Sequence, residues 1–134
     1  MNIDTLQTAL GDLVAPWVHA LGLRVESSGD TGVTLRLPDN PQLSRVGGML
    51  CGQAMMAAAD TAMVLALVYH FGEFRPCTTV QMNNSFLKPL SKQDALIEAR
   101  VIRAGKALAF GEVDIRGAND GKSVCRATTT WALL

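Results

Sequence analysis

Apolar side chains recur at helical spacing at the start of the chain. This period predicts a helix over residues 4–20, and the side chains that carry it are Leu6, Leu10, Leu13, Val14 and Trp17. Asp4 is expected to cap its N-terminus, and Gly22 is expected to stop it. Pro16 is expected to kink the helix or end it early, because proline lacks the amide hydrogen that a helix interior needs.

Alternating apolar and polar residues form six further segments. Residues 23–27 and 33–37 alternate on either side of a turn over residues 28–32, which predicts a hairpin of two half-buried strands. The first of four later strands places four side chains on a common face: Val80, Met82, Asn84 and Phe86. The other three run within residues 95–101, 109–116 and 125–133. Since each strand has one apolar and one polar face, the sheet is predicted to be antiparallel and covered on one side only.

A nearly all-apolar segment lies between the two groups of strands. It predicts a helix from about Leu50 to Phe71, ended by Gly72. Its most apolar part, residues 54–68, is too short to cross a bilayer and carries Asp60 near its centre, which favours a buried core helix. A curved sheet wrapped around this helix would bury both apolar surfaces. The predicted fold is therefore α+β, a single hotdog domain over residues 1–134 with its N-terminal helix within residues 1–21.

Composition narrows the classes of protein to which the chain can belong. Among its 134 residues, Lys plus Arg and Asp plus Glu number 12 each. This balance argues against a nucleic-acid binder, because such proteins carry a basic surface. Charged residues are only 18% of the chain, whereas hydrophobic residues are 49%. Part of the surface is therefore expected to be covered by another copy of the chain.

Cysteine and histidine usage indicates a reducing compartment and a site without metal. Cys51, Cys77 and Cys125 form no Cys-x-x-Cys pair, so a disulfide framework is not expected. The two histidines, His19 and His70, are far apart and do not suggest a metal site. The N-terminus shows no basic segment followed by an apolar one, and the expected location is the cytoplasm.

Two segments resemble those of a known enzyme family. Residues 47–62 read Gly-Gly-Met-Leu-Cys-Gly-Gln-Ala-Met-Met-Ala-Ala-Ala-Asp-Thr-Ala. They are similar to the central helix of PaaI-like phenylacetyl-CoA thioesterases, in which His-Gly-Gly opens the helix and Asp-Thr-Ala lies in its middle. The strand ending in Phe86-Leu87-Lys88-Pro89 resembles the family's Phe-Leu-Arg-Pro ending. The resemblance covers residues 20–133 and implies a hotdog acyl-CoA thioesterase that works as a dimer or a dimer of dimers.

The resemblance places the family's catalytic carboxylate at Asp60. A carboxylate flanked by Ala58, Ala59 and Ala62 is costly to bury without a function or a partner. Isolated carboxylates of this kind recur in active sites, which favours a catalytic role. The alternative is a structural aspartate that is capped by a hydroxyl such as that of Thr79.

Three positions near the start of the central helix are candidates for contact with the thioester. The family's first glycine falls on Gly52, where free amides and the helix dipole would stabilise an oxyanion. Its histidine falls on Cys51, which either acts as a nucleophile or, as we favour, only fills the space of the histidine. An asparagine that the family often has falls on Arg45, which would hold a carbonyl or a carboxylate.

The spacing within the helix predicts a shared site. Asp60 follows Cys51 by about two and a half helical turns, roughly 13 Å, so the two side chains point to opposite sides of the helix. Asp60 is then unable to act on a thioester held at Gly52 of its own helix. If both act, they come from two subunits whose helices run antiparallel across a two-fold axis, and the family builds its site in this way.

Weaker candidates complete the predicted site. Thr78 and Thr79 open a strand at the point where the family often uses a polar residue to orient water. Substrate binding, to the acyl group or to coenzyme A phosphates, is assigned to Met49, Met56, Asn84, Phe86, Arg103 and Lys106. Flexible methionines suit several acyl groups. The alternatives without a function are that Asn84 is a polar side chain of the core and that Arg103 and Lys106 are solvated surface cations.

The predicted function is hydrolysis of an acyl-CoA thioester, with Asp60 as general base or nucleophile. Coenzyme A is part of the substrate, and no metal or prosthetic group is expected. Three alternatives stay open. They are a non-catalytic acyl-CoA binding module, an enoyl-CoA hydratase that would need a histidine such as His70, and a condensing enzyme with an activated Cys51. Neither nucleic acid nor a membrane is expected as a partner.

Overall fold

Six antiparallel strands and three α-helices form the chain in a computed structural model that describes residues 1–134. The helices are α1 (Ile3–Leu13), α2 (Pro16–His19) and α3 (Gly52–Phe71), and a 3-10 turn spans Pro41–Leu43. The strands are β1 (Arg24–Gly29), β2 (Gly32–Leu37), β3 (Cys77–Phe86), β4 (Ala95–Ala104), β5 (Leu108–Gly117) and β6 (Ser123–Leu133). They lie in the order β1-β2-β4-β5-β6-β3, and every neighbouring pair is antiparallel.

The long helix α3 lies on one face of the curved sheet and supplies much of the core. Most of its residues between Ala54 and Val68 are buried, and they share one hydrophobic core with inward-facing side chains such as Leu35, Ile97 and Ile115. The opposite face of the sheet carries polar and charged side chains and has no helix over it. The predicted hotdog fold is therefore confirmed.

Burial accounts for the strong apolar character of α3. By length and composition alone this helix could cross a membrane, yet 61% of its most apolar stretch is buried inside the chain. A core helix meets the same criteria. The helix ends where the sequence predicts, at Gly72, which adopts a φ of 77° and donates its N–H to the carbonyl of Val68 at 2.9 Å. Glycine suits this position because other residues rarely adopt left-handed backbone.

The N-terminal helix is shorter than predicted. α1 ends at Leu13, Val14 and Ala15 are extended, and the four-residue α2 begins at Pro16. The chain leaves the helix before the proline because the proline ring disfavours helical backbone at the residue that precedes it. One helix over residues 4–20 is thus a wrong prediction, although the proline correctly marks the region of the break.

The N-cap of α1 also differs from the prediction. Asn2, not Asp4, occupies the cap, and its side-chain oxygen accepts the N–H of Thr5 at 2.8 Å. Asp4 lies inside the first turn, where its negative charge is favourable next to the positive end of the helix dipole.

The two edges of the sheet differ in how they are covered. β1 is six residues long, and α1 packs against it. The side-chain oxygen of Gln7 accepts the N–H of Val25 at 2.8 Å, so this edge is partly satisfied from within the chain. β3 forms the other edge, is ten residues long and has no buried residue. A long open edge of this kind is a template for pairing with another strand.

A bulge in β3 changes which side chains face α3. The register with β6 shifts between Thr79 and Gln81, so Val80 has no partner and is 58% exposed. Met82 remains partly buried against the core, as predicted. The predicted common face is therefore wrong at Val80, because the inserted residue interrupts the two-residue alternation.

Candidate active site

Asp60 lies half-buried in the middle of α3 and has one hydrogen-bond partner. The hydroxyl of Thr79 donates to its Oδ1 atom at 2.7 Å. No cation forms a salt bridge with this carboxylate, and its second oxygen accepts no hydrogen bond from the chain. The contact fits the structural alternative, in which a hydroxyl caps the aspartate. It also suits catalysis, because it fixes one carboxylate oxygen and leaves the other free.

The bulge in β3 brings Thr79 to this carboxylate. On the helix-facing side of the sheet, Thr79 pairs with the buried Trp131 of β6, and Val80 takes up the extra residue. Without the bulge, an unbroken alternation from Met82 would place Val80 against the helix. The polar contact with Asp60 therefore depends on an irregularity of the strand, and bulges often re-aim side chains next to active sites.

Cys77, at the start of β3, belongs to the surroundings of the same carboxylate. Partial burial and, second, the negative charge of Asp60 raise the pKa of the Cys77 thiol. A thiol with a raised pKa stays protonated at neutral pH and is a poor nucleophile. Cys77 is consequently a neutral neighbour of Asp60.

The start of α3 presents three backbone amides without an acceptor in the chain. The N–H groups of Gly52, Gln53 and Ala54 belong to the first turn, where a helix has no carbonyl to receive them. No loop carbonyl or side chain replaces those acceptors. Cys51 is the N-cap, but its sulfur makes no capping bond, while its own N–H donates to the carbonyl of Leu43 at 2.9 Å. The positive end of the helix dipole is therefore left uncompensated.

A cleft of about 400 Å³ opens beside these amides. Its walls contain the predicted residues Arg45, Met49, Gly52 and Phe86, together with Leu50, Met55, Leu87, Lys88 and Pro89. The structure thus brings four of the predicted site residues together at the first turn of α3.

Gly52 is in close contact with the ring of Phe86. A Cβ atom at position 52 would lie 3.3 Å from the Cε1 atom of that ring, which is tight for carbon atoms. The close approach that glycine permits is therefore made by an aromatic side chain that forms one wall of the cleft. The N–H of Gly52 has no acceptor within the chain.

Arg45 stands on a short loop at the edge of the cleft. Its N–H donates to the carbonyl of Met49 at 2.8 Å, and its own carbonyl accepts the N–H of Gly48 at 3.0 Å. The guanidinium Nη1 atom contacts the sulfur of Met49 at 3.3 Å. Gly47 and Gly48 adopt φ values of 102° and 82°, which allow the tight turn.

The remaining predicted residues lie outside this cleft. Thr78 is exposed and leaves the contact with Asp60 to its neighbour. Met56 is 37% exposed on α3, and Asn84 is half-buried on β3, where its oxygen receives only a long contact from a cysteine sulfur. Two exposed cations near the β4–β5 turn form no ion pair, namely Arg103 and Lys106.

Neither a metal centre nor an aspartate–histidine pair is formed by the residues of one chain. No group of three or more His, Cys, Asp or Glu side chains is placed to hold a metal ion. His70 is exposed near the C-terminus of α3 and stacks edge-on with Phe71. It makes no hydrogen bond with Asp60, whose single partner is Thr79.

With this geometry in place, comparison with known proteins identifies the family. Residues 47–124 match the family model of the thioesterase superfamily. The chain belongs to the thioesterase superfamily. The match includes both the start of α3 and Asp60, so the two regions described above lie within the part of the chain that defines the family.

Individual relatives agree with this assignment. A protein of Saccharolobus solfataricus, provisionally named an esterase, is 30% identical over 114 residues, which are 84% of this chain and 74% of the relative. Thioesterase superfamily member 2 of zebra fish is similar with a TM-score of 0.86 and 25% identity, over 100% of this chain and 99% of its own. A thioesterase of Haemophilus influenzae has a TM-score of 0.88 at 20% identity, over 100% and 91% of the two chains, and shares the fold. Family and relatives together support a thioester hydrolase.

Reasoning from the sequence missed two features of the site. Lys88 lines the cleft but has no role in the sequence-based prediction, although the Phe-Leu-Lys-Pro ending gives a signal for it. The β3 bulge carries no composition signal, since Val80 is an ordinary strand residue.

Proposed function

We propose that the protein hydrolyses acyl-CoA thioesters in a site shared by two subunits, as the resemblance to PaaI-like thioesterases implies. The observation that carries the proposal is the pair formed by Asp60 and Thr79, with a hydroxyl-to-carboxylate distance of 2.7 Å. It offers a carboxylate with one oxygen fixed and one free. The unpaired amides at Gly52 offer the complementary half, a site for the developing oxyanion.

A second subunit is needed to bring these halves together. Gly52 and Asp60 lie about two turns apart on one helix, roughly 12 Å along its axis, and hydrogen bonds to one carbonyl group do not span that distance. The open ten-residue edge of β3 supports the pairing with a second copy. If two copies of β3 pair across a two-fold axis, the α3 helices run antiparallel, and the Gly52 end of one approaches Asp60 of the other. Two such dimers would give the dimer of dimers that the family resemblance implies.

The proposed reaction uses water as the second substrate. The thioester oxygen accepts the amide hydrogen of Gly52, which polarises the carbonyl carbon. Asp60 of the other subunit either takes a proton from a water oriented by Thr79 or attacks the carbon itself to form an anhydride that water then opens. In both routes the carbon–sulfur bond breaks, the sulfur leaves as coenzyme A and takes up a proton, and the free acid remains.

Other parts of the molecule have supporting roles in this proposal. Arg103 and Lys106 are exposed cations without ion pairs and would bind the phosphates of coenzyme A. Met56 and Asn84 would contact the substrate only if the second subunit extends the cleft toward them. Neither a metal nor a prosthetic group enters the scheme, and a cytoplasmic location would supply acyl-CoA.

Replacing Asp60 by asparagine tests the catalytic assignment. Asp60→Asn keeps the shape of the side chain and still accepts a hydrogen bond from Thr79, so the protein should fold. Turnover of an acyl-CoA panel, followed as released thiol, should fall by roughly 100-fold or more, the usual scale for loss of a general base. Asp12→Asn on the exposed side of α1 is the matched control and should keep full activity. Equal activities of the two variants would remove Asp60 from the mechanism.

Mixing two inactive variants tests the shared site. Gly52→Val should block one half of each site, because its side chain would collide with Phe86, and Asp60→Asn disables the other half. A hybrid dimer of the two retains one site in which both groups are intact, so mixing should restore activity. Mass spectrometry of the native assembly verifies that subunits have exchanged. Exchange without recovered activity would contradict the shared site.

One observation favours a second candidate, a non-catalytic acyl-CoA binding module. Cys51, which replaces the histidine of the resembling family, makes no hydrogen bond through its sulfur. A binding module would bind a non-hydrolysable acyl-CoA analogue and release no thiol from any acyl-CoA, with the wild type and Asp60→Asn behaving alike. Activity that survives in Cys51→Ala would exclude both this candidate and the covalent role of the thiol.

A further inference from the structure

Two cations in the cleft at the start of α3 have no carboxylate partner. Arg45 and Lys88 both line the cleft, no acidic side chain does, and neither cation takes part in a salt bridge. Three other arginines do form ion pairs, namely Arg36, Arg100 and Arg116. The rest of the cleft wall is mostly apolar. This cleft is therefore electropositive and lacks an internal anion to neutralise it.

The position of Arg45 is fixed by its backbone. The loop from Ser44 to Leu50 closes with a β-bridge between those residues, and backbone hydrogen bonds join Arg45 to Met49 and Gly48. The backbone of Arg45 is thus fixed at the cleft, and only its side chain is free to change conformation. The guanidinium rests on the Met49 sulfur, a weak contact that an anionic ligand group would readily replace.

The phosphates of coenzyme A are unsuited as partners for these two cations. If the thioester oxygen binds at Gly52, as proposed above, groups near Gly52 lie close to the acyl end of the substrate. The pyrophosphate is separated from the sulfur by the full length of the pantetheine arm. Arg45, which lines the same cleft as Gly52, therefore lies near the acyl group or near the thioester oxygen itself.

We propose that the acyl group of the substrate ends in a carboxylate that binds the guanidinium of Arg45, with Lys88 as the second cation. The preferred substrates are then coenzyme A thioesters of dicarboxylic acids, whose methylene segment contacts the apolar wall formed by residues such as Met49, Met55 and Phe86. This specificity rests on the proposed function, because it takes the cleft as the acyl site. Arginine suits the role because its planar fork matches a carboxylate.

Substrate pairs that differ only in the terminal carboxylate test the proposal. Glutaryl-CoA and pentanoyl-CoA have the same number of acyl carbons, so their kcat/KM ratio reports the contribution of the charge. The wild type should favour glutaryl-CoA, and Arg45→Gln should lose roughly 10- to 100-fold on that substrate, the scale of one charge-assisted hydrogen bond. Pentanoyl-CoA turnover should stay within about 3-fold of the wild type, since that loss lies below one such interaction. Arg45→Lys should recover part of the selectivity, and Arg24→Gln, an exposed arginine of β1, is the matched control.

The same pair of acyl groups on N-acetylcysteamine separates the sources of negative charge. These thioesters have no phosphates, so an effect of Arg45→Gln that persists on the glutaryl thioester assigns Arg45 to the acyl carboxylate. An effect confined to the coenzyme A thioesters would assign Arg45 to the phosphates and overturn the proposal. An equal loss on neutral and anionic acyl groups would assign it to the thioester oxygen and also overturn it. Hydrolysis of pentanoyl-CoA without preference for glutaryl-CoA would refute the specificity and leave the proposed function standing, whereas no turnover of any thioester would refute both.

Discussion

The starts of α1 and α3 differ in whether a side chain caps the free backbone amides of the first turn. Each helix begins with backbone amides that have no carbonyl within the helix to bind. At α1, the Asn2 side chain accepts from the amide and the hydroxyl of Thr5 at 2.8 and 2.9 Å. At α3, the side chain of the N-cap Cys51 accepts no hydrogen bond, and no acid occupies the first turn. The side chain of Asn2 caps one amide of α1, whereas no side chain caps any of the amides at the start of α3, which lie beside a cleft.

The N-cap of α1 stabilises the fold, whereas the N-cap of α3 leaves amides free for a ligand. Asparagine is among the best N-cap residues, and a cysteine that makes no capping bond forgoes about 1 kcal/mol that such a cap supplies. The core can bear this loss, because α3 is held by burial along most of its length. Unsatisfied donors that face an electropositive cleft are then available to a ligand oxygen.

A capping residue at the start of α3 should remove this difference between the two helices and have the largest effect on activity. Cys51→Asp places a carboxylate where it would accept an amide of the first turn and complement the helix dipole, so the unfolding free energy should rise by about 1 kcal/mol. Activity should fall by roughly 100-fold, because a fixed negative charge would occupy the region in which the oxyanion develops. Thermal unfolding and thiol release from acyl-CoA measure the two effects.

Cys51→Ala is the matched control for this experiment, since it removes the sulfur and adds no acceptor. It should keep a substantial part of the activity and alter the stability little. A Cys51→Asp variant that is more stable and equally active would show that the open helix start has no part in catalysis.

Glycine-to-alanine substitutions in the two helices should also have different results, with a smaller effect on kcat/KM. A Cβ atom at Gly11 of α1 would meet nothing within 4 Å, whereas one at Gly52 would meet Phe86 at 3.3 Å. Gly11→Ala should therefore stabilise the protein by about 0.5–1 kcal/mol through helix propensity and leave kcat/KM unchanged. Gly52→Ala should push the half-exposed ring into the cleft and lower kcat/KM by about 10-fold, equivalent to about 1.4 kcal/mol.

A second change at Phe86 shows whether the ring is the cause. In a Phe86→Leu background, Gly52→Ala no longer meets an aromatic edge, so its additional effect on kcat/KM should shrink. An unchanged loss in that background would point to the backbone of Gly52 instead of to the ring.

The fold could be predicted from the sequence because the alternating segments and the long apolar segment indicate the same architecture. The alternating segments predict all six strands, and the nearly continuous apolar run predicts α3 and its end at Gly72, since a helix without a polar stripe is expected to be a core helix. Local choices at the N-terminus were less predictable. Asn2 and Asp4 are both good cap residues, and only the position of the first turn decides between them.

The site was predictable in its parts and not in its arrangement. Resemblance placed Asp60 and Gly52, but the contact between Asp60 and Thr79 depends on a bulge that a period-two alternation does not describe. The Phe86 ring over Gly52 and the unpaired state of Arg45 are likewise tertiary facts. They arise where elements distant in sequence meet, so no local pattern contains them.

Loss of the α1 cap should have the smallest effect, on stability alone. Asn2→Ala removes the acceptor of the Thr5 amide, which should lower the unfolding free energy by about 1 kcal/mol and the melting temperature by about 4 °C for a chain of this size. The helix should remain docked, because Leu6 and Leu10 are buried in the core, so kcat/KM should not change. Asn2→Asp keeps an acceptor at the cap and should retain the wild-type melting temperature in thermal unfolding. A lower kcat/KM for Asn2→Ala at a temperature where the protein is fully folded would show that α1 is coupled to the active site. The start of α1 would then contribute to function as well as to stability, which would contradict the distinction drawn between the two helices.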